Sequence, residues 1–528
     1  MKHLIKIFSL IVVALTAGSC NKDLDLTPTN NFSAEQSFSS LQGLKSVLAK
    51  VYGSYALTGS GGSGSSDLGG IDAGTSDFLR LYWNAQELTT DEAACAWVND
   101  ANGGIGELDY MAWGAGNVLL QGLYTRSLYQ ITVANAFIKE TTDAKLASKG
   151  ITGADLTTAR NFVAEARFLR AYQYWVLMDL FGNPPFLTEE SEFGTTAAKQ
   201  IKRADLYRYV EKELLEIEPN LVSARQNEYG RADKAAAWAL LARMYLNAEV
   251  YTGTAQYIKA AEFASKVINA GYSLHAKYDN LFLGDNDKNN PEVILSINYD
   301  GVYTQNYGGT TYLINAAVNG AMNPPSFGIP NGGWGGNRSR PNLPNIFGDY
   351  SGNADKRSMF FGSKNKIDDI NTFTDGLAVT KFKNVTSTGA TPASVGGTYC
   401  STDFPLFRLA EMYLIYAEAV ARNSSAGSLA TATQYINLLR QRAYGNTSGN
   451  VTSVTKDLIL DERARELYWE GFRRTDLIRY GLYTDGSYLW PFKGGTPAGK
   501  AVESFRVLFP IPSADIVANP NLIQNTGY

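Results

Sequence analysis

From Arg160 to Phe186 apolar side chains return every three or four residues. Phe162, Ala166, Leu169, Tyr172, Val176 and Leu180 therefore share one face of a helix. Glu165, Arg167, Arg170 and Asp179 interrupt them and are expected on wetter faces. Gly182–Asn183 supplies a left-handed end, and Pro184–Pro185 cannot continue the helix. A helix this aromatic must pack against others. The same spacing predicts helices at 35–55 (Phe38, Leu41, Leu44, Val47, Leu48 and Val51, with Ser33 as N-cap), 117–141, 157–181 and 203–218. Within 231–250, Trp238, Leu241, Ala242 and Tyr245 follow the W-x2-L-A-x2-Y phrase of a tetratricopeptide first helix, with a partner at 255–270. A similar phrase, Leu406, Leu409, Ala410 and Tyr413, has its partner at 429–443. A further long helix is expected from Asp457 through DERARELYWEGFRRTDLIRYG.

The expected fold is thus mainly α: a tetratricopeptide-like helical-repeat scaffold forming one domain over 35–528. Its repeats cover about 35–55, 117–290 and 404–480. Two stretches, about 56–116 and 291–400, lose the helical period and become rich in Gly, Asn, Pro and aromatic residues. They read as loop-rich excursions with a few short strands, at 291–299 and 380–383. Their aromatic content argues against disorder.

The first residues follow a different logic. Lys2 and Lys6 precede an apolar run from Ile7 to Ala17, the length of a signal-peptide core and short for a permanent membrane span. Leu15-Thr16-Ala17-Gly18-Ser19-Cys20 places small residues before a cysteine, as in a bacterial lipoprotein cleavage box. Residues 1–19 are therefore expected to be removed, Cys20 lipidated, and 20–34 to act as a tether. Ordinary secretion with an incidental Cys20 is the alternative. Asp23 and Asp25, just after the cysteine, resemble the surface-export signal of Bacteroidetes lipoproteins. Cys95 and Cys400 remain, either paired or free.

Composition narrows the function. The chain has 528 residues with a formal net charge of −4, so it carries no basic footprint for nucleic acid. Its 50 Gly, 31 Tyr and 8 Trp suit loops that present amphipathic rings. Apart from His3 in the leader, His275 is the one histidine, and no serine or cysteine nucleophile context accompanies it. No Walker loop, dinucleotide fingerprint or metal-spaced Cys/His cluster occurs. The run Asp285-Asn286-Asp287-Lys288-Asn289-Asn290 could offer calcium its oxygens but lacks EF-hand spacing; a solvated loop is the plainer reading.

Four phrases carry a resemblance: ARFLRAYQYWVLMDLFGNPPF, FPLFRLAEMYLIYAEA, DERARELYWEGFRRTDLIRYG and the tail FPIPSADIVANPNLIQNTGY. Together they resemble the SusD/RagB family of outer-membrane glycan-binding lipoproteins. The tail departs at Asp515, where the family has Glu, and at Thr526, where it has Pro. The resemblance implies a surface-exposed lipoprotein on the outer membrane that binds glycan without catalysis. It further implies starch or a related α-glucan as ligand and a TonB-dependent transporter as partner. By position it assigns Trp97, Tyr307 and Trp334 as stacking rings and Asp72, Arg80 and Asp100 as polar contacts. Asp100 stands where the family's starch binder has Asn, and Cys95 where it has a further Trp.

A pyranose has a flat patch of C–H groups that an indole or phenol ring can cover, while carboxylate and guanidinium groups take its hydroxyls. Gly332, Gly333, Gly335 and Gly336 surround Trp334 with almost nothing to bury it. The alternatives are that Trp97 and Trp334 anchor loops, and that Asp72 and Arg80 pair with each other. At the level of function they are a binder of fructan or β-glucan, a glycoside hydrolase, or a lid for a peptide transporter.

Overall fold

A computed structural model describes residues 37–192 and 197–528. The expected signal peptide, Cys20, the tether and the Ser33 cap lie outside the described residues. Helix α1 spans Leu41–Ala56 and is capped by Ser40, whose side chain accepts from Gly43 N. It is followed by α2 (Phe78–Trp83), a π-helical turn (Asn84–Leu88), strand β1 (Ala93–Cys95) and α3 (Gly104–Asp109). Then come α4 (Val118–Glu140), α5 (Asp143–Ser148), α6 (Gly153–Leu180), α7 (Arg203–Ile217), α8 (Lys234–Leu246), α9 (Ala248–Thr252) and α10 (Tyr257–Ile268). The second excursion holds β2 (Val293–Ile297), α11 (Gly309–Ala317), β3 (Asn337–Ser339), α12 (Asn342–Phe347), β4 (Phe360–Phe361) and β5 (Ala378–Val379). The chain closes with β6 (Phe404–Arg408), α13 (Leu409–Arg422), α14 (Leu429–Tyr444), α15 (Lys456–Leu467), α16 (Arg473–Arg479) and α17 (Ser513–Ala518).

The scaffold is a run of packed helix pairs: α4 on α6, α6 on α7, α8 on α10, α10 on α13 and α13 on α14. The expected mainly helical fold is observed. Among the described residues there are three two-stranded antiparallel ladders: β2–β6 ties the second excursion to the scaffold, β1–β3 joins the two excursions, and β4–β5 lies within the second.

Four expectations are corrected. Glu165, Arg170 and Asp179 are buried on α6. Glu165 pairs with Arg231 at 2.5 Å, Arg170 with Glu213 at 2.7 Å, and Asp179 accepts from Tyr251 Oη at 2.8 Å. Second, Leu406 is in β6 rather than in a repeat helix, because 404–408 pairs with 293–297. Third, the strand expected at 380–383 is instead β5 at 378–379, where it pairs with β4.

Fourth, the long helix from Asp457 is broken between α15 and α16. Trp469 adopts φ +64° and Gly471 φ +83°. Their N–H groups turn away from the helix axis to reach Glu92 Oε2 at 3.1 Å and Glu87 Oε1 at 2.7 Å. Cys95 and Cys400 are both free and buried. In the 285–290 loop, Asp285 accepts from Ser387 N and Oγ, and Asn290 from the N–H groups of Glu292 and Val293. Among the described residues no helix is long and apolar enough to cross a membrane.

A buried ionic cluster joins β6, α14 and α15. Arg408 reaches Glu466 at 2.6 Å, Glu470 at 2.7 Å and Glu292 at 2.9 Å. Glu466 also receives Arg357 and Arg442. Burial alone would raise the Glu466 carboxyl, but Arg442, Arg408 and Arg357 outweigh it and hold it well below the carboxylate range. Removing one member leaves charge without its counter-charge. Arg408→Met should therefore lower the unfolding free energy by roughly 3–5 kcal/mol, read from urea denaturation midpoints.

A second centre, Glu418, joins α13 to Arg479 of α16 at 2.7 Å. Its burial is outweighed by Arg479, Arg422 and Arg463, which hold the carboxyl at about 2. An unfolded Glu titrates near 4.3, roughly, so the folded state gains from this ion above that pH and loses the gain as acid approaches the folded value. Glu418→Gln should lower stability at neutral pH and flatten the decline in melting temperature between about pH 4.5 and about pH 2.

Candidate functional site

The β1–β3 ladder brings the two excursions together. Cys95 pairs with Asn337, and the Ala96 N–H continues the ladder onto Gly336 O at 2.9 Å. Trp97 follows on one strand and Trp334 precedes the other. A Cβ on Gly336 would lie 2.5 Å from the Trp97 indole, so the ring rests directly on that glycine. Its other side meets Tyr312 of α11, edge to face at 6.2 Å. Trp97 and Trp334 are both half-buried.

Arg340 fixes the ladder from beneath. It donates to the carbonyls of Ala93 at 2.7 Å and Asp109 at 3.0 Å. Asp109 in turn accepts from Cys95 N at 3.2 Å, and burial pushes its carboxyl up to about 7 despite Arg340 and Arg338 nearby. Cys95 is wholly enclosed in this layer and gives the surface nothing to stack on.

Tyr307 arrives from another direction. Its ring lies 6.3 Å from Trp334 at 46° and 5.4 Å from Tyr399 at 56°, and it is 42% exposed. A hydrogen bond with Tyr399 raises the Tyr307 hydroxyl above its usual range. Gly74 carries no side chain because Tyr307 Cβ sits 2.6 Å from where its Cβ would be. Asp77 secures this junction. Its Oδ1 accepts from Arg80 N at 2.9 Å, capping α2, and from Gly309 N at 2.8 Å, just past Tyr307.

The three polar residues share one concavity of about 380 Å3, lined by Asp72, Thr75, Arg80, Asp100, Asn102 and Ile105 among others. Asp72 turns its carboxylate onto Thr75 N and Oγ1, at 3.0 and 3.2 Å, rather than onto Arg80. The Arg80 guanidinium lies over the Tyr312 ring at 4.5 Å, and its buried Nε meets no protein acceptor. Asp100 is exposed on a turn where Ala101, Asn102 and Gly103 take φ of +52°, +56° and +84°. Two non-glycine residues in that region are uncommon and cost about 1–2 kcal/mol each. A separate, mostly apolar cavity of about 320 Å3, between α1 and β2, contains none of these residues.

All six residues assigned from sequence therefore fall in one neighbourhood. Rings and hydrogen-bonding groups lie side by side, an arrangement suited to a polyhydroxylated ligand. Sequence reasoning missed Tyr312, which supports both Trp97 and Arg80, and Tyr399. It also missed Asp77, whose cap opens a helix too short and too fully buried to show an apolar period.

The chain is similar to known proteins. Residues 350–528 match the model of the SusD family, and 90–246 match one described as starch-binding and associating with the outer membrane. The starch-binding protein SusD of Bacteroides thetaiotaomicron is 39% identical, across 100% of this chain and 99% of that protein. The chain belongs to the SusD family. A SusD-like protein P2 of Formosa agariphila is 26% identical over 98% of this chain and 99% of its own length. Among solved structures, surface glycan-binding protein A of B. thetaiotaomicron, in complex with laminarihexaose, aligns with a TM-score of 0.69 at 20% identity. That alignment covers 92% of this chain and 99% of the other and shows a shared fold.

Within this SusD-family chain, the glycine loop is a testable support. Gly336 (φ +105°) touches Trp97, whereas Gly332 (φ +94°) has open space where a Cβ would go. Gly336→Ala and Gly332→Ala should each cost roughly 1–3 kcal/mol in backbone strain. Gly336→Ala alone should also shift tryptophan emission, by displacing the Trp97 ring.

Proposed function

We propose that this chain is a lipid-anchored surface protein that captures starch or related α-glucans and passes them, chemically unchanged, to a TonB-dependent transporter. Trp97, Tyr307 and Trp334 stack on the sugar faces. Asp72, Arg80 and Asp100 take hydroxyls, with Arg80 donating and the carboxylates accepting.

One observation carries the choice of a coiled over a straight glucan. The Tyr307 and Trp334 planes are 46° from parallel, and Tyr307 and Tyr399 are 56° apart. A straight glucan ribbon offers coplanar faces, which rings set at these angles cannot cover together. A coiled α-glucan offers faces that turn from one residue to the next. The likeness to the starch-binding SusD adds support. A few stacked sugars with wet hydroxyls give weak binding, about 4 to 8 kcal/mol, or millimolar to micromolar, and weak binding suits a ligand that must be released.

The test is mobility in native gels containing amylopectin. The parent should be retarded, and the folded Trp97→Ala/Trp334→Ala variant should run freely. Equal retardation of both would remove these rings from the site. An unretarded parent would withdraw the α-glucan reading, and gels with laminarin and inulin would then identify another glycan. The anchor is tested separately: Cys20→Ala should move the chain from the membrane pellet to the soluble fraction.

A further inference from the structure

The glycine loop bears a ring on each of two adjacent residues. Trp97 lies on Gly336, and Phe373 lies on Gly335, its Cδ1 3.1 Å from where a Cβ would stand. Phe373 belongs to a different loop of the second excursion, yet its ring rests against Gly335, the residue that follows Trp334, and is 42% exposed. A phenyl ring held at this exposure keeps part of its flat face available to another apolar surface.

Its loop is held firmly. Arg338, 1% exposed on β3, donates from Nε to Asp375 O at 2.6 Å and from Nη2 to Ile370 O at 2.9 Å. The Asp375 carboxylate gathers the other side, accepting from Lys364 Nζ at 2.5 Å and from the N–H groups of Asp368 and Asp369 at 3.0 and 3.1 Å. Arg338 lies two residues beyond Gly336, so the arginine that clamps the Phe373 loop shares a strand with the loop that carries Trp334. The backbone on both sides of Phe373 is thus tied to the strand that follows Trp334.

We propose that Phe373 forms an additional stacking subsite, which takes one further hexopyranose unit of a chain already seated on Trp97, Tyr307 and Trp334. The inference rests on the α-glucan reading above. It makes binding length-dependent: a trisaccharide is satisfied by the first three rings, and a longer chain gains the phenyl face. Phenylalanine has no hydroxyl, so this subsite selects for a sugar face and is indifferent to substituents at the rim.

Calorimetric titration of the full chain, purified in detergent, with maltotriose and maltoheptaose tests this. Phe373→Ala should weaken maltoheptaose roughly three- to tenfold, the worth of one aromatic contact, and leave maltotriose within about twofold of the parent. Phe373→Leu keeps apolar bulk without a flat face and should behave like the alanine variant; full affinity in the leucine variant would overturn stacking. Unchanged maltoheptaose affinity in Phe373→Ala, with Trp334→Ala impaired, would overturn the subsite and leave the main site intact. Equal losses for both sugars would also overturn it, since Phe373 would then act on the main site. A parent that binds neither sugar would overturn the subsite together with the α-glucan reading.

Discussion

The structure depends on keeping a set of buried charges neutralised. Arg408, Glu466, Glu470, Glu292, Arg357 and Arg442 come from five separate parts of the chain and meet where water is excluded. Desolvating them is costly, and the cost is recovered only when every partner is in place. The cluster thus penalises partial or misregistered packing more than it adds to stability. An apolar core of the same volume would tolerate sliding of α15 against β6 and α14. Charges that each require two or three partners do not. The fold is specified at this point, and the helix pairs around it supply the burial.

That constraint reaches the surface through the break in the C-terminal motif. Because Trp469 and Gly471 turn their N–H groups onto Glu92 and Glu87, the π-helical turn at 84–88 is locked to α15 and α16. The same segment runs from α2, which carries Arg80, to β1, which leads to Trp97. Arg473 adds a second lock by pairing with Asp91 at 2.7 Å. A ring and a guanidinium of the candidate site are thereby tied, along the chain, to interactions in the buried core. Rigid support of this kind lowers the entropy lost when a flexible sugar chain is ordered.

This explains which parts could be read from the residues alone. Helices such as α4, α6 and α14 keep a wet face somewhere along their length, so apolar spacing reveals them and their observed ends fall within a few residues of those expected. Helix α2 was invisible, because Phe78, Leu79, Leu81, Tyr82 and Trp83 are all buried and leave no period to detect. The break at 468–472 was equally hidden: local propensity favours continuing the helix, and the carboxylates that oppose it lie about four hundred positions earlier. Glu165, Arg170 and Asp179 were misplaced for the same reason, since a charge looks exposed until its partner is known. Trp97, Tyr307, Trp334, Asp72, Arg80 and Asp100 were legible through resemblance. Tyr312, Tyr399 and Phe373 were not, because their roles come from contacts made only in the folded chain.

The phrases that made the family recognisable are therefore a poor guide to its ligands. In DERARELYWEGFRRTDLIR, the side chains of Glu462, Arg463, Glu466, Glu470, Arg473, Asp476 and Arg479 are buried in ion pairs. Such a motif reports that the scaffold is intact. It says nothing about what the scaffold carries, since a protein that shares the fold at 20% identity is complexed with laminarihexaose. On the proposed reading, the choice of glycan lies where side chains meet solvent, in the tilt between rings and in the few polar groups around Arg80. Those positions sit on loops whose backbone is pinned from below, so rings and charges can change without disturbing the ionic core. A fold arranged in this way can keep its interior fixed while altering the sugar it binds.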